Sequence, residues 1–224
     1  MRRPFLFLEW IFNKECFICG KKIGKIISFT CENCSNILKY ELCEYSDTHV
    51  SNQYFDELYS VFAYRNIVRY KILDFKFNNK PYLVYLFGYF VLGYLLKNNV
   101  RADVIIPVPI HYKRYKERGY NQSEILSRFI SKKMGIKFEA KVLKKIKYSE
   151  KQSRLNAKQR IANVFNTFVV SDRQKILEKT IILIDDIYTT GATVNECSRV
   201  LKENGASRVI VVTIAHGKFK LGGT

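Results

Sequence analysis

Three features that would place a protein outside the soluble globular class are missing from this 224-residue sequence. No internal repeat or low-complexity segment occurs, and a hydrophobic content of 47% supports a packed core. The N-terminal apolar residues are interrupted by Glu9 and do not form a secretory signal. The most apolar stretch, Tyr82 to Leu96, contains two glycines and is shorter than the ~20 residues that a membrane span needs. We therefore expect a soluble, cytoplasmic protein with reduced thiols.

Acidic residues are scarce relative to basic ones. The sequence has 20 Asp and Glu against 38 Lys and Arg, which gives a formal net charge of +18. Such a surplus suits an anionic partner, namely a nucleic acid, a polyphosphate ligand or a membrane surface. Excess lysine can equally form a solvated surface, so charge alone does not choose between these readings.

Cysteines are concentrated near the N-terminus. Two Cys-x-x-Cys pairs are separated by eleven residues, and the four cysteines are Cys16, Cys19, Cys31 and Cys34. Each pair can present two thiolates to one tetrahedral Zn²⁺, and four sulfurs leave no open position for catalysis. Disulfides and buried free thiols are the alternatives, which the lack of a secretion signal and the spacing disfavour. We predict a structural zinc site in a small module of residues 1–50.

The most informative stretch runs from Lys179 to Val194. Four apolar residues, Ile181 to Ile184, predict a central parallel strand that is buried on both faces. Two carboxylates, Asp185 and Asp186, stand at its carboxyl end, and a turn of small and hydroxyl-bearing residues follows. A helix is expected from Val194 to Lys202, with a stop at Asn204-Gly205. The turn consists of Thr189, Thr190, Gly191, Ala192 and Thr193.

This arrangement predicts a sugar-phosphate site. Ligands of open α/β sheets bind outside the carboxyl ends of the strands, and a turn of small residues at a helix N-terminus offers N–H groups to a phosphate. Adjacent carboxylates beside a phosphate make sense if they accept hydrogen bonds from sugar hydroxyls or hold a hard cation such as Mg²⁺. An ordinary strand–turn–helix with surface aspartates is the alternative.

The segment Ile-Leu-Ile-Asp-Asp-Ile-Tyr-Thr-Thr-Gly-Ala-Thr resembles the phosphoribosyl-pyrophosphate (PRPP) loop of the type I phosphoribosyltransferases. The resemblance implies an α/β fold over residues 51–224, with a mainly parallel sheet flanked by helices. It also implies that Asp185 and Asp186 are catalytic and take the ribose hydroxyls, and that Thr189 to Thr193 bind the 5-phosphate.

A second set of cations is expected at the same sheet edge. The sequence predicts another buried strand from Asp103 to Ile110, followed by a basic segment and a helix from Asn121 to Met134. Cations at the carboxyl end of that strand would neutralise a pyrophosphate. These cations are Lys113, Arg114 and Arg118. The basic stretch from Lys141 to Arg160 suits a mobile flap that closes over a polyanion.

The remaining elements are expected to pack on the sheet. We predict strands at Tyr54 to Tyr64, Phe165 to Val170 and Arg208 to Ala215, and helices from Asn66 through Asp74 and from Pro81 through Lys97. Lys71 and Lys76 on the first of these helices are expected to be solvated.

The order of four motifs behind the cysteines is similar to that in the ComF family of late-competence proteins. The motifs are Pro107-Val-Pro, Arg118-Gly-Tyr-Asn-Gln-Ser, Gln152 with Arg160-x-x-Asn163, and Asp185-Asp-x-x-Thr-Thr-Gly. The resemblance implies that the protein handles incoming single-stranded DNA in the cytoplasm, with PRPP and Mg²⁺ as ligands and a helicase and other competence proteins as partners. Two segments, Tyr148 to Gln152 and Ala215-His-Gly217, depart from the family's pattern.

Two functions remain open. As an enzyme, the protein would transfer a phosphoribosyl group from PRPP to an unidentified nucleobase or other small molecule, with no DNA role. As a single-stranded-DNA-binding factor, it would use PRPP as a ligand or regulator, and cations interleaved with tyrosines would contact the strand. The residues expected to contact DNA are Arg114, Lys116, Arg118, Tyr120, Lys151, Arg154 and Arg160.

Overall fold

The computed structural model describes residues 15–23, 29–148 and 157–217. Its helices are α1 (Glu32–Glu41), α2 (Asn66–Phe77), α3 (Leu83–Lys97), α4 (Tyr112–Arg118), α5 (Gln122–Met134), α6 (Ala157–Val164) and α7 (Ala192–Glu203). Its strands are β1 (Leu42–Asp47), β2 (Glu57–Ala63), β3 (Val104–Pro107), β4 (Lys137–Phe138), β5 (Leu143–Lys145), β6 (Phe168–Val170), β7 (Thr180–Tyr188) and β8 (Arg208–His216).

Six of these strands form one twisted sheet in the order β1-β2-β8-β7-β3-β4. All neighbouring pairs are parallel except β1 with β2, which is antiparallel. The predicted α/β fold with a mainly parallel sheet is therefore confirmed, and the predicted apolar run lies in the central strand β7.

Both faces of the sheet are covered, which explains why β7 is apolar without alternation. Ile182 and Ile184 pack on one face in a core that includes Val68 of α2 and Phe87 of α3. Ile181 and Leu183 point to the other face, where α7 lies. Successive residues of a strand point to opposite faces, so residues beyond Ile184 continue this alternation.

Strand β7 is longer than the apolar run. It pairs with β8 from Thr180 opposite Arg208 to Tyr188 opposite His216, so the two aspartates lie inside the strand rather than after it. The helix that follows begins at Ala192, two residues before the predicted start. Its predicted stop is confirmed, since Asn204 is the C-cap and Gly205 has φ +92°.

A two-stranded antiparallel ribbon of β5 and β6 stands apart from the main sheet. It forms the base of the predicted flap. Lys151 and Arg154 of the predicted flap lie outside the described residues, and so does the side chain of Arg160 in α6.

The cysteine-bearing segment packs directly on the core. The ring centroids of Phe17 and Tyr82 are 5.0 Å apart, and those of Phe29 and Tyr89 are 5.3 Å apart. Strand β1, which falls within the predicted 1–50 module, is an edge strand of the main sheet. The division at residue 50 stays a prediction.

The longest described helix is α3, with 15 residues. Among the residues that the structure describes, no helix combines the length and the apolarity needed to cross a bilayer.

Candidate functional site

The two adjacent aspartates of β7 have different surroundings. Both carboxylate oxygens of Asp186 are engaged by the protein: Lys76 Nζ lies 2.9 Å from Oδ1, and Gln122 Nε2 donates to Oδ2 over 2.6 Å. Asp186 is only 4% exposed. A buried carboxylate is stable when it is paired with a cation and hydrogen-bonded, and both conditions are met here.

Asp185 is held through one oxygen. Its Oδ1 accepts hydrogen bonds from Ser123 Oγ at 3.0 Å and from the backbone N–H of Asp186 at 2.9 Å. Burial, and then the charge of Asp186, raise the pKa of Asp185 to about 7, although Lys76 opposes this shift. Near neutral pH, this carboxyl group is thus suited both to accept and to donate a hydrogen bond with a sugar hydroxyl.

The turn between α4 and α5 places two side chains next to Asp185 and Asp186. Gly119 ends α4 with φ +77°, and Asn121 then caps α5, because its Oδ1 accepts from the N–H of Ser123 at 3.1 Å. The amide nitrogen of Asn121 donates to the carbonyl of Val108, which fixes the turn to the end of β3. Gln122 and Ser123 therefore lie in the first turn of α5, facing β7.

Arg118 reaches the acid pair through Gln122. Its Nη1 donates to Gln122 Oε1 over 3.1 Å, and its guanidinium lies 4.7 Å from the ring centroid of Phe77. Burial lowers the pKa of Arg118, while the charge of Asp186 opposes that shift. The structure thus brings Arg118 to the carboxyl edge of the sheet as expected, and its pyrophosphate role stays a prediction.

The environment of Lys76 differs from the one expected from the sequence. Lys76 was predicted to be solvated, but its side chain is 18% exposed and pairs with Asp186. Helix α2 continues to Phe77 instead of ending at Asp74, and this extra turn carries Lys76 to the acids. Lys71 also lies in an ion pair, with Asp74 at 3.3 Å. No local sequence signal separates the two lysines.

Lys145 at the base of the flap is a further cation that sequence reasoning did not single out. Its Nζ lies 5.0 Å from the ring centroid of Phe168. Burial lowers the pKa of Lys145 to about 8, and the surrounding charges include those of Asp185 and Arg114. Because β5 alternates, Lys144 is exposed while Lys145 turns inward, which strand periodicity within the basic run could have indicated.

The loop between β7 and α7 has the local geometry that the sequence predicted. Gly191 is the N-cap of α7 with φ +78°, and a Cβ at this position would come within 2.5 Å of the hydroxyl of Tyr188. Glycine is therefore required both by the left-handed backbone and by the close ring. The N–H of Ala192 lies 3.4 Å from Thr190 Oγ1. Small residues and hydroxyls at a helix N-terminus can cradle a phosphate.

Helix α4, whose last residue is Arg118, has an exposed cationic and aromatic surface. Lys116 Nζ lies 4.7 Å from the ring centroid of Tyr112, which is 60% exposed. Lys113 Nζ and the Arg114 guanidinium lie 5.4 and 5.8 Å from the ring of Tyr148. We call Tyr112, Lys113, Lys116 and Tyr148 the α4 surface.

Tyr120, which was also expected to contact DNA, is partly buried. Its hydroxyl donates to the carbonyl of Phe75, and the two rings pack at a centroid distance of 6.1 Å. The structure therefore gives Tyr120 a packing role, and its nucleic-acid role stays a prediction.

The four predicted zinc ligands converge. The sulfurs of Cys16, Cys19, Cys31 and Cys34 all lie within 4.8 Å of one another, and those of Cys19 and Cys31 are 3.8 Å apart. Tetrahedral Zn²⁺ with bonds of about 2.3 Å separates its sulfurs by about 3.8 Å. Burial opposes ionisation of Cys16, yet hydrogen bonds from backbone N–H groups, including those of Cys19 and Cys31, lower its pKa to about 7. The cluster is compatible with a structural zinc ion.

Comparison with known families agrees with the fold. Residues 121–221 match the family described as "Phosphoribosyl transferase domain". Competence protein F of Haemophilus influenzae is 28% identical over 220 residues, which cover 91% of this chain and 90% of that protein. Competence protein ComFC of Streptococcus pneumoniae is 27% identical over 87% of this chain and 96% of that protein. DNA utilization protein YhgH of Escherichia coli is 30% identical over 109 residues, 49% of this chain and 47% of that protein.

Solved structures of phosphoribosyl chemistry also align with the chain. A purine phosphoribosyltransferase from Pyrococcus horikoshii aligns with 64% of this chain and 94% of its own, at 13% identity and a TM-score of 0.38. The "allosteric regulatory enzyme of purine biosynthesis" aligns with 62% of this chain and 25% of its own, at 21% identity and a TM-score of 0.40. At these TM-scores, ligand geometry does not transfer from the neighbours to this chain.

Proposed function

From the match of residues 121–221 to the phosphoribosyl transferase domain and the similarity of most of the chain to Competence protein F and ComFC, we propose that the chain is a member of the ComF family and a DNA-handling protein of natural transformation. It binds PRPP, or a related ribose 5-phosphate ligand, at Asp185 and the loop Thr189 to Thr193. It binds single-stranded DNA on the adjacent α4 surface, in the cytoplasm and beside a helicase and other competence proteins.

The observation that carries the proposal is the meeting of three groups at one sheet edge. Asp185 has one oxygen, Oδ2, outside its described hydrogen bonds, and this oxygen suits a ribose hydroxyl. The loop around Gly191 suits the 5-phosphate, because a helix N-terminus favours an anion. The neighbouring cations Arg114, Arg118 and Lys145 suit a pyrophosphate.

Mg²⁺ fits this site only when it is bound to the ligand. The two oxygens of Asp186 already accept from Lys76 and Gln122, so the acid pair does not offer a set of free oxygens to a metal. When bound to a pyrophosphate, Mg²⁺ would supply charge neutralisation. The contacts of the sugar and the 5-phosphate then depend on protein groups alone.

Two features of the α4 surface support DNA binding, namely its positive charge and its exposed aromatic rings. Lys113 and Lys116 add positive charge for the phosphates, while Tyr112 and Tyr148 expose rings on which bases can stack. The names of the relatives, competence proteins and DNA utilization proteins, agree with a strand of DNA as the anion.

The four-cysteine cluster is proposed to hold one structural Zn²⁺. Phe17, between the first two ligands, packs on Tyr82. Metal binding at Cys16 and Cys19 would therefore order the segment that covers this part of the core.

A paired titration tests the proposal. Single-stranded DNA is titrated into the full-length protein with and without PRPP and Mg²⁺, and pyrophosphate release is assayed in the same samples. Binding of both ligands without release supports PRPP as an effector of a DNA-handling factor, and DNA-dependent release supports an enzyme that acts on DNA. Failure of DNA to bind would overturn the DNA role, and release with a small-molecule acceptor would then favour the enzymatic alternative.

Site-directed changes locate the PRPP site. Asp185→Asn is expected to weaken PRPP binding in calorimetry, whereas Asp172→Asn, which removes the same charge outside the acid-pair site, is expected to leave it unchanged. Equal affinities of the two variants would remove Asp185 from the site.

A further inference from the structure

Two adjacent aspartates at the carboxyl end of a parallel strand would ordinarily attract a divalent cation. Mg²⁺ is bound in proteins through one or two carboxylates, with the rest of its coordination sphere open to water and phosphate. In this chain the positive charge beside the aspartates comes from a lysine side chain. Lys76 Nζ lies 2.9 Å from Asp186 Oδ1, in a pair whose side chains are 18% and 5% exposed.

The surroundings of Lys76 make this arrangement specific. The second oxygen of Asp186 accepts from Gln122 Nε2, and Gln122 is itself oriented by Arg118. On the side of Asp185, Oδ1 is engaged by Ser123 Oγ and by the N–H of Asp186. A metal at the pair would have to displace Lys76, which costs the ion pair with Asp186, or approach within a few ångströms of its ammonium group, which Coulomb repulsion opposes.

We propose that the ammonium group of Lys76 is the permanent counter-ion of the acid pair and excludes a divalent metal from it. Asp185 alone then faces a ligand, and any metal enters bound to the ligand's phosphates. This inference deepens the proposed function, because it concerns how the same acids meet a PRPP-like ligand. It assigns Lys76 as a positioning residue, since it acts on the charge of the acid pair rather than on the ligand itself.

The direct test uses Mn²⁺, whose electron paramagnetic resonance signal falls when the free ion binds. The unmodified protein and Asp186→Asn are expected to give the same titration, because the pair takes no metal. Lys76→Met is expected to gain affinity by at least about tenfold, since two carboxylates then lack their cation. The double variant Lys76→Met with Asp186→Asn is expected to lose that gain.

Lys71→Met is the matched control. It removes the same charge from the same helix, where Lys71 pairs with Asp74 at 3.3 Å, and it is expected to leave Mn²⁺ binding unchanged. Mn²⁺ binding to the unmodified protein that disappears in Asp186→Asn would overturn the proposal. A folded Lys76→Met variant with no gain in affinity would do the same.

Lys76→Met removes the cation that neutralises the buried carboxylate of Asp186, so this variant can fail to fold. Lys76→Gln keeps a hydrogen-bond donor while removing the charge, and it is expected to show the same gain in Mn²⁺ affinity. If neither variant folds, the comparison of the unmodified protein with Asp186→Asn still decides the inference.

A second readout separates this inference from the proposed function. PRPP affinity is measured in EDTA and in MgCl₂ for the unmodified protein and for Lys76→Gln, and the variant is expected to depend more strongly on Mg²⁺. If the unmodified protein binds PRPP in neither buffer, the proposed ligand is wrong, while the Mn²⁺ titrations still accept or reject the role of Lys76.

Discussion

Gln122 and Asp186 lie 64 residues apart in the sequence, yet the amide nitrogen of Gln122 lies 2.6 Å from Asp186 Oδ2. The same amide uses its oxygen to accept from Arg118 at 3.1 Å. Both ends of the side chain are engaged, so only a residue with one donor and one acceptor in this geometry satisfies both neighbours. The segment from Arg118 to Ser123 therefore acts as a unit that holds the acid pair.

Gln122→Glu should destabilise the fold. One new carboxylate oxygen would still accept from Arg118, but the other would face the carboxylate of Asp186 where a donor now lies. We expect the free energy of unfolding to fall by about 1–3 kcal/mol in urea denaturation. Gln174→Glu makes the same chemical change at an exposed position and should alter stability little. Equal effects of the two changes would show that the hydrogen bond to Asp186 contributes nothing.

Asp185→Asn should stabilise the protein at high pH. The pKa of Asp185 is raised to about 7, above its ordinary value of 3.8, so the native state holds a proton that the unfolded state releases between these pH values. Stability therefore falls as pH rises from about 4 to about 7, and the ionised group is unfavourable above that range. We expect the free energy of unfolding of Asp185→Asn to exceed that of the unmodified protein by about 1–3 kcal/mol at pH 8 and to equal it near pH 4.

The measurement is urea denaturation of both proteins across this pH range. A difference that stays constant from pH 4 to pH 8 would contradict the raised pKa. A difference that grows as the pH falls would mean that the ionised carboxylate is stabilised by Lys76 and Lys145 more than burial opposes it.

Cys34→Ser should remove the zinc ion and destabilise the core beneath it. Cys34 is buried within the cluster, and the neighbouring Phe17 and Ile18 belong to the main hydrophobic core. We expect elemental analysis to find about one zinc per unmodified chain and none in the variant, together with a lower melting temperature. Cys43→Ser is the control: Cys43 lies in β1, where its thiol faces the carbonyl of Ser60. Loss of zinc in both variants would mean that the ligand set is different.

Tyr112 and Lys116 should contribute to DNA affinity in different ways. Lys116→Ala is expected to reduce the slope of log K against log salt by about 0.7, because one phosphate contact is lost. Tyr112→Ala is expected to weaken the free energy of DNA binding by about 1–3 kcal/mol with little change in the slope, because stacking of a base on the ring is lost. Fluorescence anisotropy with a labelled single strand measures both quantities.

The matched control for this surface is the double change Arg69→Ala with Tyr70→Ala. These residues form another exposed cation–tyrosine pair, with the guanidinium 5.8 Å from the ring centroid. If it weakens DNA binding as much as changes at Tyr112 and Lys116, binding depends on total charge rather than on the α4 surface.

Periodicity and capping signals predicted the elements around the site well. Helix α5 begins after Asn121 and ends at Gly135, as expected, because an Asn cap and a left-handed glycine are local signals. The apolar run of β7 was recognised for the same reason. Its extension to Tyr188 was not, because it depends on pairing with β8 up to His216, which a local pattern does not contain.

Local sequence patterns were enough to predict the buried central strand, the glycine turn that follows it and the four cysteines at zinc-ligand spacing, since each depends on residues close together in the chain. The pairing of Asp186 with Lys76 and Gln122, and the oxygen that Asp185 keeps available, became evident only from the folded chain. These contacts join β7 to α2 and α5 across long stretches of chain, so no local pattern contains them. Two carboxylates with the same sequence signal thereby have different electrostatic surroundings.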